Sequence, residues 1–241
     1  MQKQRVQKFI ALSGLCSRRK AEQLIADGAV CVNGKKSKLG DHCTNRDTIT
    51  VNGKKISFTV SKMCYIVMNK ALGYVCTASD ELSRSTVFDL LKKRDRAAGL
   101  FYIGRLDKDT SGLLVLTNDG QFAQRIIHPS SKVRKEYEVK LDKVLSEQDK
   151  RILEKGIQLG SIKLRPCSIA HKRNLRYRVC LYEGRKRQIR RMFEQRGYSV
   201  ELLIRQKIGS LGLLGLKEGE YRKVEREYLE KRIFGSKDEN C

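Results

Sequence analysis

The chain has 241 residues, enough for one large domain or two smaller ones. Its 51 Lys and Arg stand against 27 Asp and Glu, a net charge of +24 that favours a polyanionic partner through counterion release and steering. A membrane surface is set aside, because no apolar run is long enough to span a bilayer and no amphipathic Lys/Trp helix stands out. The eight cysteines include no CxxC pair and the three histidines sit in no motif, so no metal site is expected. Most cysteines alternate with apolar residues and read as small buried hydrophobes in a reducing compartment. The N-terminus lacks the long apolar core of a signal peptide, so a cytoplasmic location is expected.

In chain order, residues 4–13 carry Val6, Phe9 and Ile10 at helical spacing, with a break at Ser13-Gly14. Ser17 is placed to cap a second helix over residues 18–27, whose Ala21, Leu24 and Ile25 share one apolar face and which Gly28 stops. Residues 29–32 and 48–51 are strand-like, and each ends in an Asn-Gly turn, at Asn33-Gly34 and Asn52-Gly53. Arg18, Arg19 and Lys20 begin the second helix and, with Arg5, Lys8 and Lys35, offer one basic face. Cations at a helix N-terminus oppose its dipole, an arrangement that a bound phosphate would reward and that a solvated charge run would tolerate. The pattern SRRKAEQLIADGAVCVNGK resembles the S4-like RNA-binding domain. That resemblance implies a small N-terminal α/β domain over residues 1–60, with RNA contacts at Arg5, Lys8, Ser17, Arg18, Arg19, Lys20 and Lys35.

The rest reads as a mixed body. Strands are expected over 63–69, 133–141, 162–169, 175–182 and 199–204, with residues 211–216 finishing the sheet. Helices are expected over 86–91, 121–128, 146–155 and 185–196, and a loose polar tail over 231–241. Short turns between strands favour an α+β fold with a mostly antiparallel sheet over a doubly wound parallel one. No glycine-rich phosphate loop follows a first strand, so a nucleotide cofactor has no support.

Two clusters carry candidate chemistry. Residues 101–120, FYIGRLDKDTSGLLVLTNDG, set a polar loop between two apolar segments, as a scaffold presents reactive groups. In extended chain Arg105 and Asp107 share a side, with Leu106 turned inward; by spacing alone this is equally a salt-bridged surface turn. The second cluster is EGRKRQIRRMF at residues 183–193. Like charges one helical turn apart call for a counter-anion: an RNA phosphate, a protein carboxylate or solvent ions. No G-x-S-x-G elbow occurs. What remains is Asp107 beside arginines, a carboxylate suited to a sugar anomeric centre and, in a basic cofactor-free protein, to base chemistry on RNA.

GRLDKDTSGLLVLTNDG resembles the signature of rRNA pseudouridine synthases that carry an S4-like front domain, and the likeness continues through KEYEV, EGRKRQIRRMF, ELLIRQKIG and GEYRKV. It implies a pseudouridine synthase domain over residues 61–230, with no metal and no soluble cofactor. It further implies a ribosomal RNA or precursor-particle substrate, the large-subunit RNA favoured; nothing in the sequence suggests an obligate dimer, and a monomer is expected. Asp107 matches the catalytic aspartate, Arg190 its partner arginine, and Tyr137 the tyrosine that meets the flipped base. Arg105 matches the residue that fills the vacated place in the RNA, and Arg185, Lys186 and Arg187 fall on the RNA side. Leu203 or its neighbours would line the pocket. Where the family usually has Asn-Lys-Pro-x-Gly, this chain has Asn69-Lys70-Ala71-Leu72-Gly73, which is expected to soften that loop without removing chemistry.

Overall fold

In the computed structural model, which describes residues 3–56, 62–77, 80, 82–96 and 99–235, the chain separates into two units, Met1–Cys64 with Arg96–Phe101, and Tyr65–Asp95 with Tyr102–Cys241. The boundary expected near residues 58–62 and the tail beyond residue 235 lie partly or wholly outside the described residues.

The first unit follows its local signals. Its elements are β1 (Gln4–Arg5), α1 (Val6–Leu12), α2 (Arg18–Ala26), β2 (Val30–Val32), β3 (Lys35–Lys36), β4 (His42–Cys43), β5 (Ile49–Val51) and β6 (Lys54–Lys55). The Ser17 side chain accepts the Lys20 N–H and so caps α2. Asn33-Gly34 and Asn52-Gly53 have positive φ at both residues, as a two-residue hairpin turn requires, and they join β2 to β3 and β5 to β6. The core is Val6, Phe9, Ile10, Ala21, Ile25, Val30, Cys43, Ile49 and Val51.

The second unit is built on an eight-stranded sheet in the order β13-β14-β10-β15-β9-β7-β16, with β8 pairing β9. The strands are β7 (Tyr65–Lys70), β8 (Phe101–Ile103), β9 (Ser111–Thr117), β10 (Lys135–Leu141), β13 (Ser168–His171), β14 (Arg176–Leu181), β15 (Val200–Ile208) and β16 (Tyr221–Lys223). A separate hairpin joins β11 (Gln158–Leu159) and β12 (Ile162–Lys163). The helices are α3 (Gly120–Ile127), α4 (Glu147–Glu154), α5 (Gln188–Glu194) and α6 (Arg226–Phe234). Along that strand order the pairings are antiparallel except that of β15 with β9, which is parallel. Every residue of β7 and β9 is buried, as central strands covered on both faces must be. Tyr137, Val139 and Leu141 face a core shared with Leu106, Ile189, Met192, Phe193 and Leu203.

Several expectations are corrected. Residues 86–91 form successive turns rather than a helix, with the Asp89 N–H bonded to the Thr86 carbonyl and the Leu91 N–H to the Phe88 carbonyl. The strand expected over 162–169 is split, with Pro166 between β12 and β13. Residues 211–216 are a turn with positive φ at Leu214 and Gly215, and β16 takes the sheet edge instead. The basic helix expected over 185–196 begins only after Arg187, whose φ of 50° is left-handed. The tail begins later than residue 231, since α6 buries Leu229 and Ile233. Of the described cysteines, Cys43 and Cys180 are buried and the other five are partly exposed; all seven are free thiols. Among the described residues no helix is long and apolar enough to cross a membrane.

Lys135, at the start of β10, donates to the Val133 carbonyl at 3.2 Å. Burial, with the Arg205 charge adding to it, pushes its ammonium down to about 8 from 10.5. Between those values the unfolded chain holds a proton that the folded chain releases, so this group makes stability rise with pH there; below about 8 the cost of burying the charge is present in full. Lys135→Met is therefore expected to raise the urea midpoint clearly at pH 7, and the gain should shrink towards pH 10. Paired urea titrations at the two pH values check it.

Candidate active site

The loop between β8 and β9 is held from below. Leu106, 5% exposed, anchors it in the core, and the Leu106 N–H donates to the Cys76 thiol at 3.4 Å. The Gly73 N–H donates to the Lys108 carbonyl at 2.9 Å, and the Thr110 N–H closes a turn on the Asp107 carbonyl at 3.1 Å. Two cations that the sequence reading assigned no role complete the support. Lys70 is fully buried at the end of β7 and donates to the Thr110 carbonyl at 2.7 Å and the Ala71 carbonyl at 3.0 Å. Burial pushes its ammonium below the ordinary range, and the negative charges of Asp109 and Asp107 oppose that shift. Arg205 in β15, 1% exposed, donates from Nε to the Leu113 carbonyl at 2.7 Å and from Nη2 to the Gly104 carbonyl at 3.0 Å. One arginine thus ties both ends of the loop to the neighbouring strand. The loop at Ala71 keeps its hold on the site through the Gly73 and Lys70 bonds.

Above this support lies a cleft of about 870 Å³, within the size range of small-ligand sites. Its walls include Cys76, Arg105, Asp107, Asp109, Arg190 and Leu203. Asp107 is half-buried, and its carboxylate makes no hydrogen bond or ion pair with the described residues. Arg190, the expected partner of Asp107, pairs with Asp109 instead. Its Nε lies 3.1 Å from Asp109 Oδ2, its Nη2 donates to the Asp109 carbonyl at 2.6 Å, and its Nη1 donates to the Val200 carbonyl at 2.7 Å. Burial pushes the Arg190 guanidinium down, and Asp109 and, more weakly, Asp107 push it back up, so Asp107 lies within reach of its field. Arg187 Nη1 donates to both Asp109 oxygens, at 3.1 and 3.0 Å.

The other expected site residues divide. Arg105 is exposed on the cleft wall. Tyr137, 8% exposed, does not line the cleft; it belongs to the cluster of Leu106 and Leu203, which do. The outward-facing cations of the second cluster find protein carboxylates, with Arg185 at 3.5 Å from Glu183 and Arg187 on Asp109, while Lys186 is exposed. In the first unit Arg5, Arg18, Arg19, Lys20 and Lys35 are exposed and Lys8 is half-buried, and no carboxylate among the described residues pairs with them. Ser17 spends its oxygen on the helix cap. Asp109 was legible as a second acid two residues from Asp107, on the same side of an extended chain. Lys70 and Arg205 carried no such signal, because each sits in an apolar strand where a cation reads as facing solvent.

Comparison with known proteins gives the family. Residues 64–195 match the RNA pseudouridylate synthase family and residues 4–49 match the S4 domain. Ribosomal large subunit pseudouridine synthase B of Bacillus subtilis (strain 168) is 40% identical over 228 residues, covering 92% of this chain and 92% of that protein. Dual-specificity RNA pseudouridine synthase RluF of Escherichia coli (strain K12) is 35% identical over 226 residues, covering 93% of this chain and 77% of that protein. A crystal structure of a pseudouridylate synthase superposes with a TM-score of 0.70 at 32% identity, covering 95% of this chain and 99% of that one. With the mixed sheet, the aspartate loop and the S4 unit all accounted for, the chain belongs to the RNA pseudouridylate synthase family.

Proposed function

We propose that this protein converts a uridine of ribosomal RNA, in the large subunit, to pseudouridine, with Asp107 as the catalytic carboxylate and without a cofactor. The observation that carries the reading is a half-buried carboxylate with no hydrogen-bond or ion-pair partner among the described residues, on a loop fixed by Lys70 and Arg205, at the wall of a cleft roomy enough for a nucleotide. The names of the relatives, a large-subunit synthase and a dual-specificity RNA synthase, support the substrate class.

The reaction is an isomerisation. The N1–C1′ bond breaks, the uracil turns within the cleft, C5 joins C1′, and the proton lost from C5 is balanced by the one gained at N1. Asp107 sets negative charge against the electron-poor centre that forms as the glycosidic bond breaks. A uridine inside a structured RNA reaches such a cleft only by leaving its stack, at a cost of a few kcal/mol, and Arg105 on the wall is suited to fill the gap it leaves. Tyr137 meets the base only if the base enters past Leu106 and Leu203. Arg185, Lys186 and Arg187 lie beside this path as RNA-side cations.

Pseudouridine mapping of ribosomal and transfer RNA from cells with and without the protein tests the reading. Loss of one or a few sites in large-subunit RNA is the expected result. A change confined to transfer RNA would reassign the substrate, and an unchanged map would leave a non-catalytic assembly factor. The first unit is proposed as the RNA grip. Changing Arg18, Arg19 and Lys20 to Gln is expected to weaken RNA binding whatever the sequence, and to flatten the slope of log K against log salt by about one unit per lost phosphate contact. Filter binding across a salt series measures both.

A further inference from the structure

We propose that Arg84 is an RNA-contacting residue of the cleft: held by Asp80, it presents its outer N–H groups to a backbone phosphate beside the target uridine. This assignment rests on the reading of ribosomal RNA as the substrate.

Arg84 and Asp80 both line the cleft, on the segment between β7 and β8. The Arg84 guanidinium grips the Asp80 carboxylate as a fork: Nε donates to both oxygens at 3.1 Å, and Nη2 donates to Oδ1 at 2.6 Å. The Arg84 backbone N–H donates to Oδ2 at 2.7 Å, so Asp80 fixes both the side chain and the backbone that bears it. Just before it, Ser83 has a φ of 52°, held by its N–H on the Asp80 carbonyl at 3.2 Å. Just after it, the segment is pinned to its own start. The Val75 N–H donates to the Ser85 carbonyl at 2.9 Å, the Val87 N–H donates to the Val75 carbonyl at 3.0 Å, and Val87 is fully buried.

The two members of the pair differ in exposure. The Asp80 side chain is 6% exposed and that of Arg84 43%, so the carboxylate is turned inward while the guanidinium forms part of the cleft rim. The Arg84 Nη1 makes no hydrogen bond with the described residues, which leaves two N–H groups for a ligand. The Arg84 fork holds the Asp80 carboxyl down at about 2, so the pair is ionised at neutral pH. An exposed ion pair adds little to stability. What this one supplies is an arginine whose orientation is fixed before binding, which lowers the entropy lost when it grips a phosphate. When a uridine leaves its stack for the cleft, its base goes in and the phosphates on either side stay at the rim. A planar guanidinium with free N–H groups matches phosphate oxygens at that place, and such contacts fix the register of the RNA.

The test uses the full chain and a synthetic ribosomal RNA fragment around the uridine that the mapping identifies. Arg84→Gln is expected to raise Kd about three- to tenfold at physiological salt, and to flatten the slope of log K against log salt by about one unit, as loss of one phosphate contact does. A merely structural ion pair would move the melting temperature and leave that slope unchanged. Single methylphosphonate linkages, each of which removes the charge of one phosphate, locate the contact. One of them next to the target uridine should weaken wild-type binding about as much as Arg84→Gln does. The same linkage should cost the glutamine variant almost nothing, because both changes remove one shared contact. An unchanged salt slope in the glutamine variant overturns the proposal, as do losses that add in full at every linkage. Should that variant not fold, Arg84→Lys keeps the charge without the fork and should bind about threefold more weakly; a lysine variant equal to wild type overturns it equally. A wild-type protein that neither binds nor modifies the fragment would instead remove the reading beneath it, and that control tells the two failures apart.

Discussion

Asp107→Asn is expected to lower pseudouridine formation by about 10³-fold or more, with the melting temperature within about 2 °C of wild type. The two halves of that expectation have one origin. The Asp107 carboxylate makes no hydrogen bond or ion pair with the described residues, so asparagine takes its place without orphaning a buried partner. The fold loses almost nothing, while the site loses the carboxylate proposed to act at the sugar. RNA binding should hold or tighten slightly, since one negative charge leaves a basic cleft. Single-turnover assays, thermal melts and filter binding on the same preparation separate these terms. Turnover within tenfold of wild type would remove Asp107 from the chemistry.

Gly112→Ala is expected to cost about 3–5 kcal/mol of stability, a large part of the 5–15 kcal/mol typical of a domain. Gly112 has a φ of +106°, and a Cβ there would lie 2.3 Å from the Arg205 carbonyl oxygen, 2.7 Å from the Arg205 nitrogen and 2.9 Å from Ile204 Cγ2. Those atoms belong to β15 where it runs parallel to β9, with Arg205 opposite Gly112. The backbone clash has no flexible side chain to absorb it. It also moves Arg205, which holds the Gly104 and Leu113 carbonyls, so the aspartate loop is released with the strand pairing. Gly120→Ala, at a helix start with open space around it, should be neutral or slightly stabilising and serves as the control. Urea unfolding of the three proteins compares them, and a Gly112→Ala midpoint equal to wild type would contradict the close approach of the two strands.

The elements that could be read in advance are those whose cause is local. A serine three residues ahead of an amide caps α2, Ser146 does the same for α4, and two Asn-Gly pairs turn two hairpins. Alternation in β10 assigned Tyr137, Val139 and Leu141 to the core without any knowledge of the partner strands. Readings failed where a short apolar run has two outcomes of similar local energy. Residues 86–91 and 211–216 are such runs, and they close as short turns, the second through a left-handed pair at Leu214 and Gly215. The late start of α5 is a further instance, since nothing in the run of arginines announces a left-handed Arg187.

The site divides along the same line. The order of separated motifs carries the family and the identity of the loop, because residues at fixed spacing in one strand and one turn keep their relation wherever the strand is placed. The excess of positive charge carries the class of partner, because electrostatics at long range depends on totals more than on positions. The choice of partner for Arg190 is different in kind. Asp107 and Asp109 are two residues apart and chemically equal, and only the approach of α5 to that loop puts the guanidinium on one and leaves the other open. Burial of Lys70 and Arg205 beneath the loop likewise comes from strands distant in sequence, whose carbonyls meet those cations only when the sheet closes. Short-range propensity and spacing are properties of the chain, whereas pairing between groups from 40 to 101 residues apart depends on packing that no local pattern encodes.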